Sequence, residues 1–190
     1  YTVGNEQNHH FKVLFKILEK LNYSWSKDCH HLSYGMVELP EGKMKSREGK
    51  VVDADDLLAD VIKEAKLLTA ERGHLEGMSK EEIDLLCSKI GKAGLKYFLL
   101  KVDPKKKMSF DPKESIDLNG NTGPFIQYGF ARIKSLIQKS SSFEDFNSEK
   151  FEMSPKELEV VKMISSFPQV IQFAAKDLSP ALLSNYLFNL

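Results

Sequence analysis

Lys43, Lys45, Ser46 and Arg47 stand within one loop, Pro40 to Lys50, with Gly42 and Gly49 on either side of them. Three cations and a hydroxyl on such a segment can close over a polyphosphate. Ammonium and guanidinium groups form charge-assisted hydrogen bonds that strengthen as phosphate oxygens gain charge in a transition state. Arg47 can grip two oxygens in a fork, whereas Lys43 and Lys45 act as point charges. The same composition also suits a solvated basic loop. Gln7 and His10 form a second candidate pair, three residues apart at the start of a helix that directly follows a strand. Ligands of open α/β sheets bind beyond the carboxyl ends of strands, so this pair lies where a ligand would be. An exposed polar first turn has the same pattern. His9-His10 and His30-His31 raise the question of a metal. Adjacent residues point to different sides of a helix or strand, and no third ligand is spaced with them, so no protein-bound metal is expected. Cys29 and Cys87 are too few for a disulfide framework and have no nearby base, which reads as inert, reduced thiols. Phe125, Tyr128 and Phe130 read as core positions rather than as a base-stacking platform.

These groups need elements to hold them. Tyr1-Thr2-Val3 is a strand-like triplet stopped by Gly4. Phe11, Leu14, Phe15, Leu18 and Leu21 mark a helix over about residues 7–21. Residues 29–39 suggest a strand. Asp53 to Arg72 reads as a helix, with Leu57, Leu58, Val61, Ile62, Ala65 and Leu68 facing inward and aspartates in its first half. Ser79-Lys80-Glu81-Glu82 is a capping box that opens another helix. Phe98-Leu99-Leu100 is a short buried run of either type, and Met108 to Asp111 suits a short strand. The turn Asn119 to Pro124 starts a helix to about Lys139, with Ile126, Phe130, Ile133 and Ile137 as its stripe. Ser154-Pro155-Lys156-Glu157 starts another with a second capping box. Two shorter helices are expected near 168–176 and 180–190, the last with Ser179 as capping hydroxyl. A boundary falls near Gly120, where strand and loop material gives way to continuous helices.

The chain has 190 residues, 42% hydrophobic and 28% charged, with 27 basic and 27 acidic side chains. That excludes wholesale disorder and a generally basic coat for nucleic acid. Local charge is less even. Lys43 to Lys50 holds four bases against Glu48, and Thr122 to Ser142 holds Arg132, Lys134 and Lys139 with no acid. Glu144 to Glu159 holds six acids against two lysines. No run approaches the roughly 20 apolar residues of a membrane span.

Taken in order, several segments resemble the arginyl-tRNA synthetases. Val3-Gly4-Asn5-Glu6-Gln7-Asn8-His9-His10-Phe11 is similar to that family's strand-to-helix segment, Gln-x-x-His-Phe. Ser33-Tyr34-Gly35-Met36-Val37, followed by Lys43 to Gly49, resembles its version of the class I signature loop. Phe110-Asp111 resembles its Phe-Asp motif. Asn121 to Tyr128 with Ala131-Arg132-Ile133 resembles the junction into its helical anticodon-binding domain, and Leu178-Ser179-Pro180 to Tyr186-Leu187 a later helix start. The loop departs from the pattern at Ser46, where class I loops carry Lys, and at Glu48, where this family often has Lys.

The resemblance implies a fold that is mainly α with a small α/β remnant: residues 1–119 as the C-terminal part of a Rossmann-type catalytic domain, and 120–190 as the start of a helical anticodon-binding bundle. It implies a ligase that activates arginine with ATP and Mg²⁺ and transfers it to its tRNA. Gln7 would hold arginine. His10, Gly35, Met36 and Val37 would line the adenosine, with Met36 and Val37 offering backbone groups to the adenine edge, and Ser46 would also bind ATP. Lys43, Lys45 and Arg47 would act on the phosphates, and Arg132 would face tRNA. The other class I signature, His-x-Gly-His, would lie before Tyr1, so this chain alone would be inactive. A cytoplasmic monomer is expected. The other reading is a non-catalytic tRNA- or nucleotide-binding module.

Overall fold

A computed structural model describes residues 1–38, 53–72, 75–140 and 152–190. The first strand, β1 (Thr2–Gly4), ends in a 3₁₀ turn, Asn5–Gln7, and runs into α1 (Asn8–Lys20). Phe11, Phe15 and Leu18 form the half-buried side of α1, and Tyr1, just before β1, packs against both phenylalanine rings with centroids 5.1 and 5.8 Å away. A 3₁₀ turn, Ser24–Asp28, leads to β2 (Leu32–Tyr34), which pairs parallel with β1, Gly4 opposite Tyr34. The strand expected over 29–39 is thus interrupted. Gly35-Met36 breaks it, and β3 (Val37–Glu38) resumes in a different sheet with β4 (Met108–Ser109), again parallel.

Between β3 and β4 lie α2 (Ala54–Arg72) and α3 (Lys80–Leu100). The capping box forms as expected: the Ser79 hydroxyl accepts from Glu82 N–H, and the Glu82 carboxylate accepts from Ser79 N–H. Phe98-Leu99-Leu100 is the last turn of α3. A short α4 (Pro112–Ser115) follows β4. The core is the meeting of these four elements: Val61 and Ala65 of α2, Phe98 of α3, Phe110 after β4 and Ile116 after α4. The helices pack closely because Gly91 has no side chain; a Cβ there would lie 2.8 Å from Ile62. Lys66 and Asp84 join the same two helices at the surface, 2.7 Å apart.

The remaining helices are α5 (Gly123–Lys139), α6 (Pro155–Lys176) and α7 (Pro180–Asn189). Thr122 caps α5 through its hydroxyl, and Gly123 sets the helix start directly against the α3 backbone at Ala93, where no Cβ would fit. The second capping box, Ser154 with Glu157, opens α6. Two expectations fail here. The helix starting at Ser154 does not stop before Pro168; α6 continues through it to Lys176. Proline removes one N–H and disturbs one turn, and the intact bonds on both sides carry the helix across. Ser179 precedes α7 but makes no capping bond through its side chain. The α6–α7 turn is instead closed by a Schellman pattern, Ser179 N–H to Ala174 O at 3.0 Å, with Leu178 in the left-handed region at φ 50°. The architecture is mainly α with a small α/β part, as expected from the sequence.

α3, the junction turn and α7 meet in one polar knot. The Tyr97 hydroxyl reaches both Asn121 Oδ1 and Ser184 O. Lys101 donates to Asn121 O at 3.0 Å, and Asn185 donates to Lys101 O at 3.0 Å.

Candidate functional site

β1 and β2 run parallel, so their carboxyl ends open on the same side. The chain leaves β1 at Gly4, reaches Gln7 at the end of the 3₁₀ turn and His10 in the first turn of α1. It leaves β2 at Tyr34 and enters Gly35-Met36. The two exits lie side by side: a Cβ at Gly4 would meet the Tyr34 ring at 3.9 Å and Met36 Sδ at 4.0 Å, both ordinary contact distances. Residues 30 positions apart in sequence therefore face one small region.

Gln7 and His10 are joined directly. Gln7 Oε1 lies 2.6 Å from His10 Nδ1. With the amide oxygen in this position, Nδ1–H is the donor. Both side chains are exposed, as binding groups must be.

Gly35 is buried and immobilised. Its N–H donates to Pro104 O at 2.6 Å, and a Cβ would run into the Lys106 carbonyl. The turn before β4, carrying Lys105, Lys106 and Lys107, is thereby drawn against the glycine. The backbone on either side is committed unevenly. Met36 O accepts from Met108 N–H at 3.2 Å and Glu38 O accepts from Phe110 N–H at 2.8 Å. Alternate residues of a strand turn their backbone groups to opposite edges, so Val37 presents its N–H and C=O away from β4. Of the two expected adenine contacts, Val37 has no backbone partner on that edge among the described residues, while the Met36 carbonyl already has a partner.

Lys43, Lys45, Ser46 and Arg47 lie outside the described residues. The described chain stops at Glu38 and resumes at Asp53, so β3 and the start of α2 carry the two ends of that segment. Phe110-Asp111 serves the fold: Phe110 is fully buried edge-on to Phe98, centroids 5.0 Å apart, and Asp111 Oδ1 caps α4 by accepting from Lys113 N–H at 2.8 Å.

Arg132 lies on exposed α5, its guanidinium carbon 5.7 Å from the Tyr128 ring. Lys134 stands likewise 5.6 Å over Phe130. The reading of these aromatics as core is corrected. Tyr128 is 54% and Phe130 61% exposed, and Phe125 is exposed too, although its ring packs on Phe188 of α7. Helical spacing cannot say whether a neighbour lies opposite the stripe, and here only Ile126 of it is half-buried.

His31 was weighed in the sequence only as a metal ligand. Its Nε2 lies 3.0 Å from Val3 O, and its ring stacks on Phe11 at 4.2 Å. Its partner is a backbone carbonyl 28 positions away, which no spacing rule reveals. Among the described residues, no three His, Cys, Asp or Glu side chains gather as a metal set.

The sequence model of the family described as tRNA synthetases class I (R), catalytic domain, matches residues 1–111, and that of the DALR anticodon binding domain matches 126–190. An arginine–tRNA ligase of Flavobacterium psychrophilum is 54% identical over 190 residues, which is all of this chain and 31% of that protein. One from Bacteroides fragilis is 51% identical, again over the whole chain and 32% of the relative. The solved arginyl-tRNA synthetase of Thermus thermophilus superposes with a TM-score of 0.85 at 22% identity, covering 99% of this chain and 30% of that one. The chain thus spans about a third of the length of the relatives it matches.

Proposed function

We propose, from the premise that this chain belongs to the arginine-type class I tRNA synthetases, that it supplies part of the active site and the first anticodon-domain helices of an arginine–tRNA ligase. Residues 1–119 form the catalytic part and 120–190 the anticodon-binding part. The observation that carries the reading is the convergence at the carboxyl ends of β1 and β2 of Gly4, the Gln7–His10 pair and Tyr34-Gly35-Met36.

In this reading Gln7 holds the arginine substrate, and His10, Gly35, Met36 and Val37 line the adenosine, Val37 through its backbone. Ser46 binds ATP. The carboxylate of arginine attacks the α-phosphorus of ATP, delivered as its Mg²⁺ complex, and pyrophosphate leaves. Lys43, Lys45 and Arg47 hold the phosphate oxygens as their charge builds, which lowers the barrier more than it tightens ground-state binding. A ribose hydroxyl of the tRNA terminus then attacks the arginyl carbonyl and AMP departs. Arg132 faces the tRNA. The protein works as a cytoplasmic monomer.

Arginine-dependent ATP–pyrophosphate exchange, run with cognate tRNA present, tests this. The full-length protein is expected to turn over, and the 190-residue chain alone is expected not to, because it offers only part of the donor set. Turnover by the short chain would sink the assignment of shared catalysis. A full-length protein that binds tRNA without exchange would favour a non-catalytic binding module.

A further inference from the structure

His31 stands one residue before β2 and is half-buried. A carbonyl oxygen only accepts, so the bond of its Nε2 to Val3 O makes this nitrogen the donor. The other contact is the stack on Phe11, 4.2 Å between centroids with the planes 26° apart. The two residues it touches frame the ligand pair. Val3 immediately precedes Gly4, where β1 opens toward the site. Phe11 immediately follows His10. Phe11 is itself braced by Tyr1 and Phe15, at 5.1 and 5.8 Å. One side chain just before β2 thus ties the exit of β1 to the first turn of α1.

We propose that His31 is a positioning residue: through its hydrogen bond to Val3 O it holds the Gly4 turn, and with it the Gln7–His10 pair, in place for arginine and ATP, without touching either substrate. This rests on the ligase reading above. A hydrogen bond and a stack are separable by mutation. His31→Phe keeps an aromatic ring for Phe11 and removes the imidazole donor from Val3 O, which retains its partner in the β1–β2 ladder. His31→Gln loses the stack and keeps an amide N–H able to reach that oxygen.

The test is ATP–pyrophosphate exchange by the full-length enzyme, wild type and both variants, with KM for ATP and arginine resolved from kcat. His31→Phe is expected to raise both KM values roughly fivefold to tenfold with kcat within about twofold, the scale of one lost hydrogen bond. His31→Gln is expected to restore KM to within about twofold, with both variants melting within about 2 °C of wild type. The proposal is overturned if His31→Phe leaves KM unchanged, if His31→Gln is as impaired as His31→Phe, or if either variant loses its fold, since a role in stability alone would then suffice. A wild-type enzyme without exchange overturns the ligase reading and this proposal with it; a working wild type with unaffected variants overturns this proposal alone.

Discussion

Gly35 shows how one residue can be required by its surroundings rather than by its own chemistry. Its N–H is bonded to Pro104 O at 2.6 Å while its Cα lies against the Lys106 carbonyl. The turn cannot retreat from an added methyl without giving up that bond. Gly35→Ala is therefore expected to cost about 1–3 kcal/mol, the usual range for overpacking a closed site. It should also raise KM for ATP, because Met36 and Val37 follow directly. Thermal unfolding and exchange kinetics of the full-length enzyme check both; an alanine variant with wild-type melting and KM would show that the turn yields freely. The sequence motif pointed to Gly35, Gln7 and His10 because their neighbours in sequence form the pattern. It was silent on His31, whose role lies in a carbonyl and a ring supplied by β1 and α1.

At the scale of elements, helix starts and the ends of α1 and α5 were legible, while the break between β2 and β3 and the passage of α6 through Pro168 were not. Ser79 and Ser154 each announce a helix because a capping box is a local arrangement, complete within four residues. Strands of two or three residues carry too little alternation to be seen whole, so β2 and β3 read as one. Pro168 suggested a break because the cost of a proline is local, while the support that carries α6 past it comes from neighbouring turns and from α7. The Tyr97 knot was equally hidden, since Asn121 and Ser184 lie 24 and 87 positions away. One phenolic proton faces two acceptors there; a half-turn of the Asn121 amide would place its NH₂ on the tyrosine oxygen and leave the proton for Ser184 O. Burial pushes the Tyr97 hydroxyl above its ordinary value of 10.0. A group whose folded value is raised contributes stability that is fully present below the unfolded value and lost as pH rises through the folded one. Tyr97→Phe is thus expected to cost about 1 kcal/mol near neutral pH, for the lost bonds of α3 to the turn and to α7. The gap in melting temperature between wild type and Tyr97→Phe should narrow as pH rises above about 10. A gap independent of pH would mean that the hydroxyl's proton does not hold these elements together.

For the whole molecule, the formal charge of zero hides a segregated distribution. A uniform coat for nucleic acid is excluded, yet α5 carries Arg132, Lys134 and Lys139 with no acid between Thr122 and Ser142. The same helix leaves Tyr128, Phe130, Ile133 and Leu136 exposed. Among the described residues no helix is long and apolar enough to cross a membrane, so these faces do not mark a span. Two cations stand over exposed rings, Arg132 on Tyr128 and Lys134 on Phe130, which holds the charges outward at the surface. A tRNA meeting this surface would exchange condensed counterions for these side chains, and the number exchanged is read from the dependence of affinity on salt. If Arg132 touches one phosphate, Arg132→Ala in the full-length protein should weaken tRNA binding and reduce the slope of log Kd against log salt by about 1. Arg132→Lys keeps the charge and should retain most of that slope while losing the planar contact with Tyr128. Weaker binding by Arg132→Ala at an unchanged slope would place Arg132 in the support of Tyr128 and take it off the nucleic acid.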